Sequence, residues 1–174
     1  MFGHQYYHSL TKKYVTYFGT CFNDIHIIRY DDGGVPRSKI AVPIVYAPTK
    51  KFLERLTKDP KLDRKIAISL PRMSFELTAI TYSGERKISK TRQYSASNIN
   101  NSDTTSRTFS PVYYDLNFTL QAYVKNNDDG AQIMEQILPF FTPSWVAKVN
   151  TLPDLDISES IPIDLVGVTV EDSY

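Results

Sequence analysis

From Tyr114 to Gln121 apolar and polar side chains alternate without a break, with Tyr114, Leu116, Phe118 and Leu120 set against Asp115, Asn117, Thr119 and Gln121. A period of two puts the first set on one face of a strand and the second on the other, so residues 112–124 read as a half-buried strand. A helix follows in "NNDDGAQIMEQILPFFTPSW" (126–145), with Asp128 or Asp129 placed to cap its free N–H groups. Ile133, Met134, Ile137 and Leu138 form its inner face, and Pro139 fits only at its end. Then come Phe140, Phe141, a second proline and the single tryptophan, Trp145. Aromatic side chains gathered outside regular structure must be buried against something, within the domain or on a neighbour.

The rest of the chain supplies the layers around that strand. In residues 3–22, Tyr6, Leu10, Tyr14 and Phe18 recur every four positions beside Tyr7, Tyr17, Cys21 and Phe22, one apolar face of an amphipathic helix. "NDIHIIRY" reads as a strand, "DDGG" as a turn, and "KIAVPIVY" (39–46) as the strand that completes a hairpin, with Pro43 marking an edge or a bulge. Phe52, Leu53 and Leu56 give residues 48–58 the pattern of a second helix. Residues 65–83 are strand-rich, interrupted at Pro71 and Arg72, and "IPIDLVGVTV" (161–170) is a closing strand or pair. Residues 83–111 are polar and without period, and a structureless run of that length inside a compact domain is uncommon and usually functional or disordered. The order predicts an α+β fold, a mainly antiparallel sheet flanked by about three helices, with a long polar loop at 83–111.

At 174 residues the chain reads as one domain, able to bury roughly 70% of the surface its unfolded form exposes. One cysteine allows no internal disulfide, no signal peptide opens the sequence, and the longest apolar run, "IAVPIVYA", is far too short to span a bilayer. A soluble, cytosolic protein is expected. The formal charge of +1 hides a polarity: every Lys and Arg precedes residue 149, leaving about +7 on the first 150 residues and −6 on the last 24. The acids of the final segment are Asp154, Asp156, Glu159, Asp164, Glu171 and Asp172. They suit either contact with a basic partner or a plain solvated edge.

The usual signatures of catalysis are missing. His4 and His8 have the spacing of a metal pair, but no third ligand accompanies them in a known pattern. Cys21 sits near the apolar face of the first helix with no catalytic signature around it. No phosphate-binding loop or nucleophile elbow occurs. Neither an enzyme nor a cofactor is expected. Arg86, Lys87, Lys90 and Arg92 with Tyr94 form a basic patch beside an aromatic ring, which can bind phosphates and stack a base. The near-neutral chain and the lack of a nucleic-acid-binding signature make a protein partner the better reading of that patch.

Taken in order, "MFG" with the tyrosine-rich helix, "VPIVYAPTKKF" (42–52), "LPR" (70–72), "YDLNFTLQAYVKNNDDGAQIMEQILPFFTP" (114–143) and "IPIDLVGV" resemble the proximal tail-sheath stabilisers, or tail terminators, of T4-like contractile-tailed bacteriophages. They span nearly the whole chain, and "QIMEQILPFFTP" is the most specific block. The resemblance implies a non-enzymatic virion protein forming a homo-hexameric ring at the neck end of the tail. The ring would end the tail tube and hold the last sheath ring. Implied partners are other copies, the tail sheath protein, the tail tube or a tail-completion protein, and the neck protein, with no membrane and no direct nucleic acid. Assembly is expected in the host bacterial cytoplasm. Members of the family continue beyond this point, so the C-terminal part is expected to be shortened or incomplete. Candidate contact residues are Arg86, Lys87, Lys90, Arg92, Tyr94, Phe140, Phe141, Trp145, Asp154, Asp156 and Glu159. The alternatives are another tail-completion or neck adaptor protein, or a nucleic-acid binder using the basic loop 85–94.

Overall fold

A computed structural model describes residues 7, 9–31, 33–48, 70–89, 91–97, 105–152 and 157–171. Apart from Pro48, the expected helix at 48–58 lies outside the described residues, as does the pair His4 and His8. Among those residues the fold is α+β, with mostly antiparallel strand pairing and two α-helices rather than about three. The chain divides into two compact units, Met1–Ala79 with Leu116–Leu138, and Ile80–Asp115 with Pro139–Tyr174.

In the first unit the periodic aromatic face becomes helix α1 (Leu10–Cys21). Phe18 is buried and stacks on Phe118 at 4.3 Å between ring centroids, tilted against Phe22 at 5.0 Å and Phe75 at 5.5 Å. The helix comes close enough here that a Cβ on Gly19 would lie 2.7 Å from the Phe75 ring. Gly19→Ala is therefore expected to destabilise the protein by about 1–2 kcal/mol, because ring displacement outweighs the better helix propensity of alanine. A urea titration checks it, and a stabilised Gly19→Ala variant would contradict this packing.

Strands β1 (His26–Tyr30) and β2 (Pro36–Ala41) pair antiparallel, with Ile27 opposite Ile40 and a bulge between Arg29 and Tyr30. Gly34, at φ 74, supplies the left-handed residue of the turn. The hairpin ends earlier than the sequence suggested. Pro43 has no N–H for the ladder, and its carbonyl instead accepts from Met73 at 2.9 Å. The chain thereby changes sheets, and β3 (Ile44–Tyr46) runs parallel to β4 (Arg72–Tyr82). Strand β7 (Tyr114–Tyr123) flanks β4 on its other side. The Thr78 hydroxyl donates to the Asn117 carbonyl and the Ser83 amide to that of Tyr113, the falling order of an antiparallel pair. Met73, Ser74 and Phe75 are all buried, which removes any alternation from the start of β4.

Helix α2 (Asn127–Ile137) carries Ile133 to the core. Its N-cap is Asn126, and Asp128 and Asp129 occupy the first turn, where their charge suits the positive end of the helix dipole. Asp129 has a further role that capping did not anticipate: it is buried and its carboxylate meets the Arg29 guanidinium on β1 at 3.2 Å. One and two turns further on, the amides of Gln132 and Gln136 bond the backbone of β1. Gln132 accepts from the Ile28 N–H at 2.8 Å and donates to the Ile28 carbonyl at 3.0 Å. Gln136 donates to the His26 carbonyl at 2.7 Å and accepts from its N–H at 3.4 Å. Four residues of helix advance about 6 Å and two residues of strand about 6.6 Å, so the i, i+4 pair matches alternate strand residues. Two glutamine side chains thus occupy the edge of β1 where a further strand would pair.

In the second unit residues 83–111 are not a structureless loop. They contain an antiparallel pair, β5 (Gln93–Ser97) with β6 (Thr105–Phe109), in which Gln93 faces Phe109 and Ser97 faces Thr105. The described side chains of this pair are exposed, so neither face carries an apolar period to read. After α2 the chain makes a 3-10 turn, Leu138–Phe140, and then β8 (Ser144–Leu152), a strand absent from the sequence-based order. It pairs antiparallel with β9 (Ile157–Asp164). The face of β8 with Trp145, Ala147 and Val149 lies across from Ile163, Ile161 and Glu159, and Ala147 and Val149 are buried. The closing apolar run therefore splits: residues 161–164 end β9, whereas Leu165–Val170 belong to no strand and are exposed.

Candidate interaction surfaces

Three groups of predicted contact residues fall on the second unit. In the basic stretch Arg86 approaches Asp115 at 3.7 Å with both side chains about half exposed. Such a pair contributes only about 0–1 kcal/mol and leaves the cation largely available to a partner. Lys87 is exposed, and Lys90 lies outside the described residues. Arg92 and Tyr94 are brought together, the guanidinium carbon 5.2 Å from the ring centroid. That cation–π contact occupies one face of the ring.

The aromatic end of α2 forms a small cluster around Trp145. Phe140 is tilted to the indole at 5.9 Å and Phe141 meets it edge-on at 6.3 Å. Phe141 and Trp145 are half-buried, while Phe140 remains 63% exposed. The Phe140 ring is thus held against the tryptophan while most of its surface stays in water.

The acidic group is spread out. Asp154 and Asp156 lie outside the described residues. Glu159 is half-buried and faces Val149 across the ladder, within the inner side of β8 and β9 rather than on a solvated edge. Tyr114, expected on the apolar face of its strand, is instead exposed and meets the exposed Tyr82 edge to face at 5.8 Å, a pair that sequence reasoning did not anticipate. The valines of 165–170, expected in a closing strand or pair, belong to no strand and are exposed.

Other chemistry is sparse. Burial raises the pKa of the Cys21 thiol, with its own backbone hydrogen bond working the other way, so the reactive thiolate is disfavoured. The His26 ring is engaged with the Asp24 carbonyl at 2.8 Å. Among the described residues no group of three or more His, Cys, Asp or Glu is arranged to hold a metal, and no helix is long and apolar enough to cross a membrane.

Among the described residues, then, the exposed features are the cations Arg86, Lys87 and Arg92, the rings of Tyr82, Tyr114 and Phe140, and the apolar residues of 165–170. The chain belongs to the T4-like virus Myoviridae tail sheath stabiliser family, which it matches over residues 5–174. It is 28% identical over 182 residues to the tail completion protein gp15 of Enterobacteria phage T4, a match covering 99% of this chain. The chain spans 64% of that relative's length.

Proposed function

We propose that the protein forms a homo-hexameric ring at the head-proximal end of a contractile phage tail, where it ends the tube and holds the last ring of sheath. The observation that carries this reading is the family match across residues 5–174. The exposed rings of Phe140, Tyr82 and Tyr114 support it, because apolar surface of this kind is stabilised by burial against a neighbour. In mechanism the ring occupies the terminal binding surface of the tube, so no further subunit adds, and its outer face grips the sheath in the extended state. No bond is made or broken. Partners are other copies of the chain, the sheath protein, the tube or a tail-completion protein, and the neck protein. The protein resides in the virion tail after assembly in the bacterial cytoplasm.

Tails assembled without the protein should show tubes of uncontrolled length and loss of extended sheath, both restored when the purified protein is added during assembly. Normal tube length and a stable sheath in its absence would reject this reading and favour a neck adaptor.

A further inference from the structure

The two edges of the β1–β2 sheet are treated differently. On β1 the outward-pointing backbone groups of His26 and Ile28 are occupied by the side chains of Gln136 and Gln132. On β2 they are not. Val42 donates to the Ile25 carbonyl, which sets the ladder so that Ile40 and Ser38 face β1. In an antiparallel pair the alternate residues then direct their N–H and C=O groups away. Those residues are Lys39 and Ala41, both exposed and, among the described residues, without a backbone partner on that side. Arg37 sits in the bulge beside them, so the open edge carries two cations and no acid.

Elsewhere the chain has strand sequence without a strand. Leu165–Val170, "LVGVTV", is exposed throughout, with Val166 at 100%, and Val166, Val168, Thr169 and Val170 are all β-branched. Acids bracket it at Asp164 and Glu171, and no base follows Lys148. In length it matches β2, six residues to six.

We infer that the segment Leu165–Val170 of one copy adds as a third strand to the open β2 edge of a second copy. Main-chain bonds to Lys39 and Ala41 supply the pairing, and one of the bracketing acids meets Arg37 and Lys39, since the two acids stand about 23 Å apart along an extended segment and the two cations only about 6.6 Å apart. An unpaired edge bearing lysine can also be an edge guarded against such pairing, and the experiment separates the two. The inference rests on the reading that copies of this chain assemble into a ring.

The test uses two charge-reversed full-length variants, one Arg37→Glu with Lys39→Glu and the other Asp164→Lys with Glu171→Lys. Circular dichroism verifies that each is folded, and assembly is followed by light scattering against protein concentration. Each alone is expected to assemble at least about tenfold less tightly than the unaltered chain. An equimolar mixture restores both interfaces by alternating the two variants and should return to within about threefold. Ala41→Pro removes one outward N–H and spares the β1 ladder, so it should weaken assembly without unfolding the hairpin. Unchanged assembly of any of these variants, or a mixture no better than its components, overturns the pairing. If the unaltered chain still forms six-membered rings in that case, the ring reading stands alone. Rescue by mixing in particles that are not six-membered keeps the pairing and removes the ring. Absence of any association of the unaltered chain removes both.

Discussion

Phe18→Ala is expected to lower unfolding stability by about 3–5 kcal/mol, the range for deleting a large buried aromatic side chain. The effect should reach that range because Phe18 joins three elements. Its ring lies on Phe118 of β7, against Phe75 of β4 and beside Phe22 at the end of its own helix. Each aromatic pair adds about 0.5–1.5 kcal/mol to the burial term. With Gly19 already pressed onto Phe75, α1 has little freedom to collapse into the space left behind. Urea unfolding monitored by far-UV circular dichroism measures the loss. A change below about 1 kcal/mol would mean that α1 does not pack on β4 and β7 as described.

Arg29→Met should cost about 2–3 kcal/mol, because it strands the carboxylate of Asp129 in the protein interior. The Asp129 side chain is 5% exposed, whereas 44% of the Arg29 side chain is exposed. Water can therefore reach part of the site, which places the cost below that of breaking a fully buried pair. Replacing both partners, as Arg29→Met with Asp129→Leu, removes the stranded charge and should recover most of the loss. The pair helps to hold α2 on β1, and the four glutamine bonds secure the same helix further along. Urea titrations of the single and double variants decide the matter. A double variant as unstable as the single one would show that the carboxylate gains nothing from its arginine.

The parts of the fold legible in the sequence are those in which one face is buried and the other wet. The fourfold spacing of Leu10, Tyr14 and Phe18 and the alternation through Leu116, Phe118 and Leu120 both record such faces, and both became the expected elements. Strands β5 and β6 left no such record, since their described side chains are exposed and no buried face imposes a period. Trp145, Ala147 and Val149 do alternate, but the two prolines and two phenylalanines just before them drew the segment into an aromatic terminus. The salt bridge and the glutamine bonds join residues 100 or more positions apart, and no local period encodes such pairs. Pro43 was legible as an interruption but not as the point where the chain changes sheets, because that depends on the Met73 amide supplied by a distant strand.

Candidate contact residues divide the same way. The Arg92–Tyr94 and Phe140–Trp145 groupings were adjacent in sequence and are adjacent in space. Glu159 read as part of an acidic edge because only its neighbours along the chain were visible. Its cross-strand partner, Val149, places it on the inner face instead.

The central claim is that this chain closes into a ring of six, and the most direct measurement is native mass spectrometry of the purified 174-residue chain at micromolar concentration and moderate ionic strength. The account predicts one closed species at about six times the chain mass of 19.9 kDa, persisting on dilution until it dissociates to single chains. A protein that remains monomeric at every concentration, or that grows into an open series of sizes with no favoured stoichiometry, would contradict it.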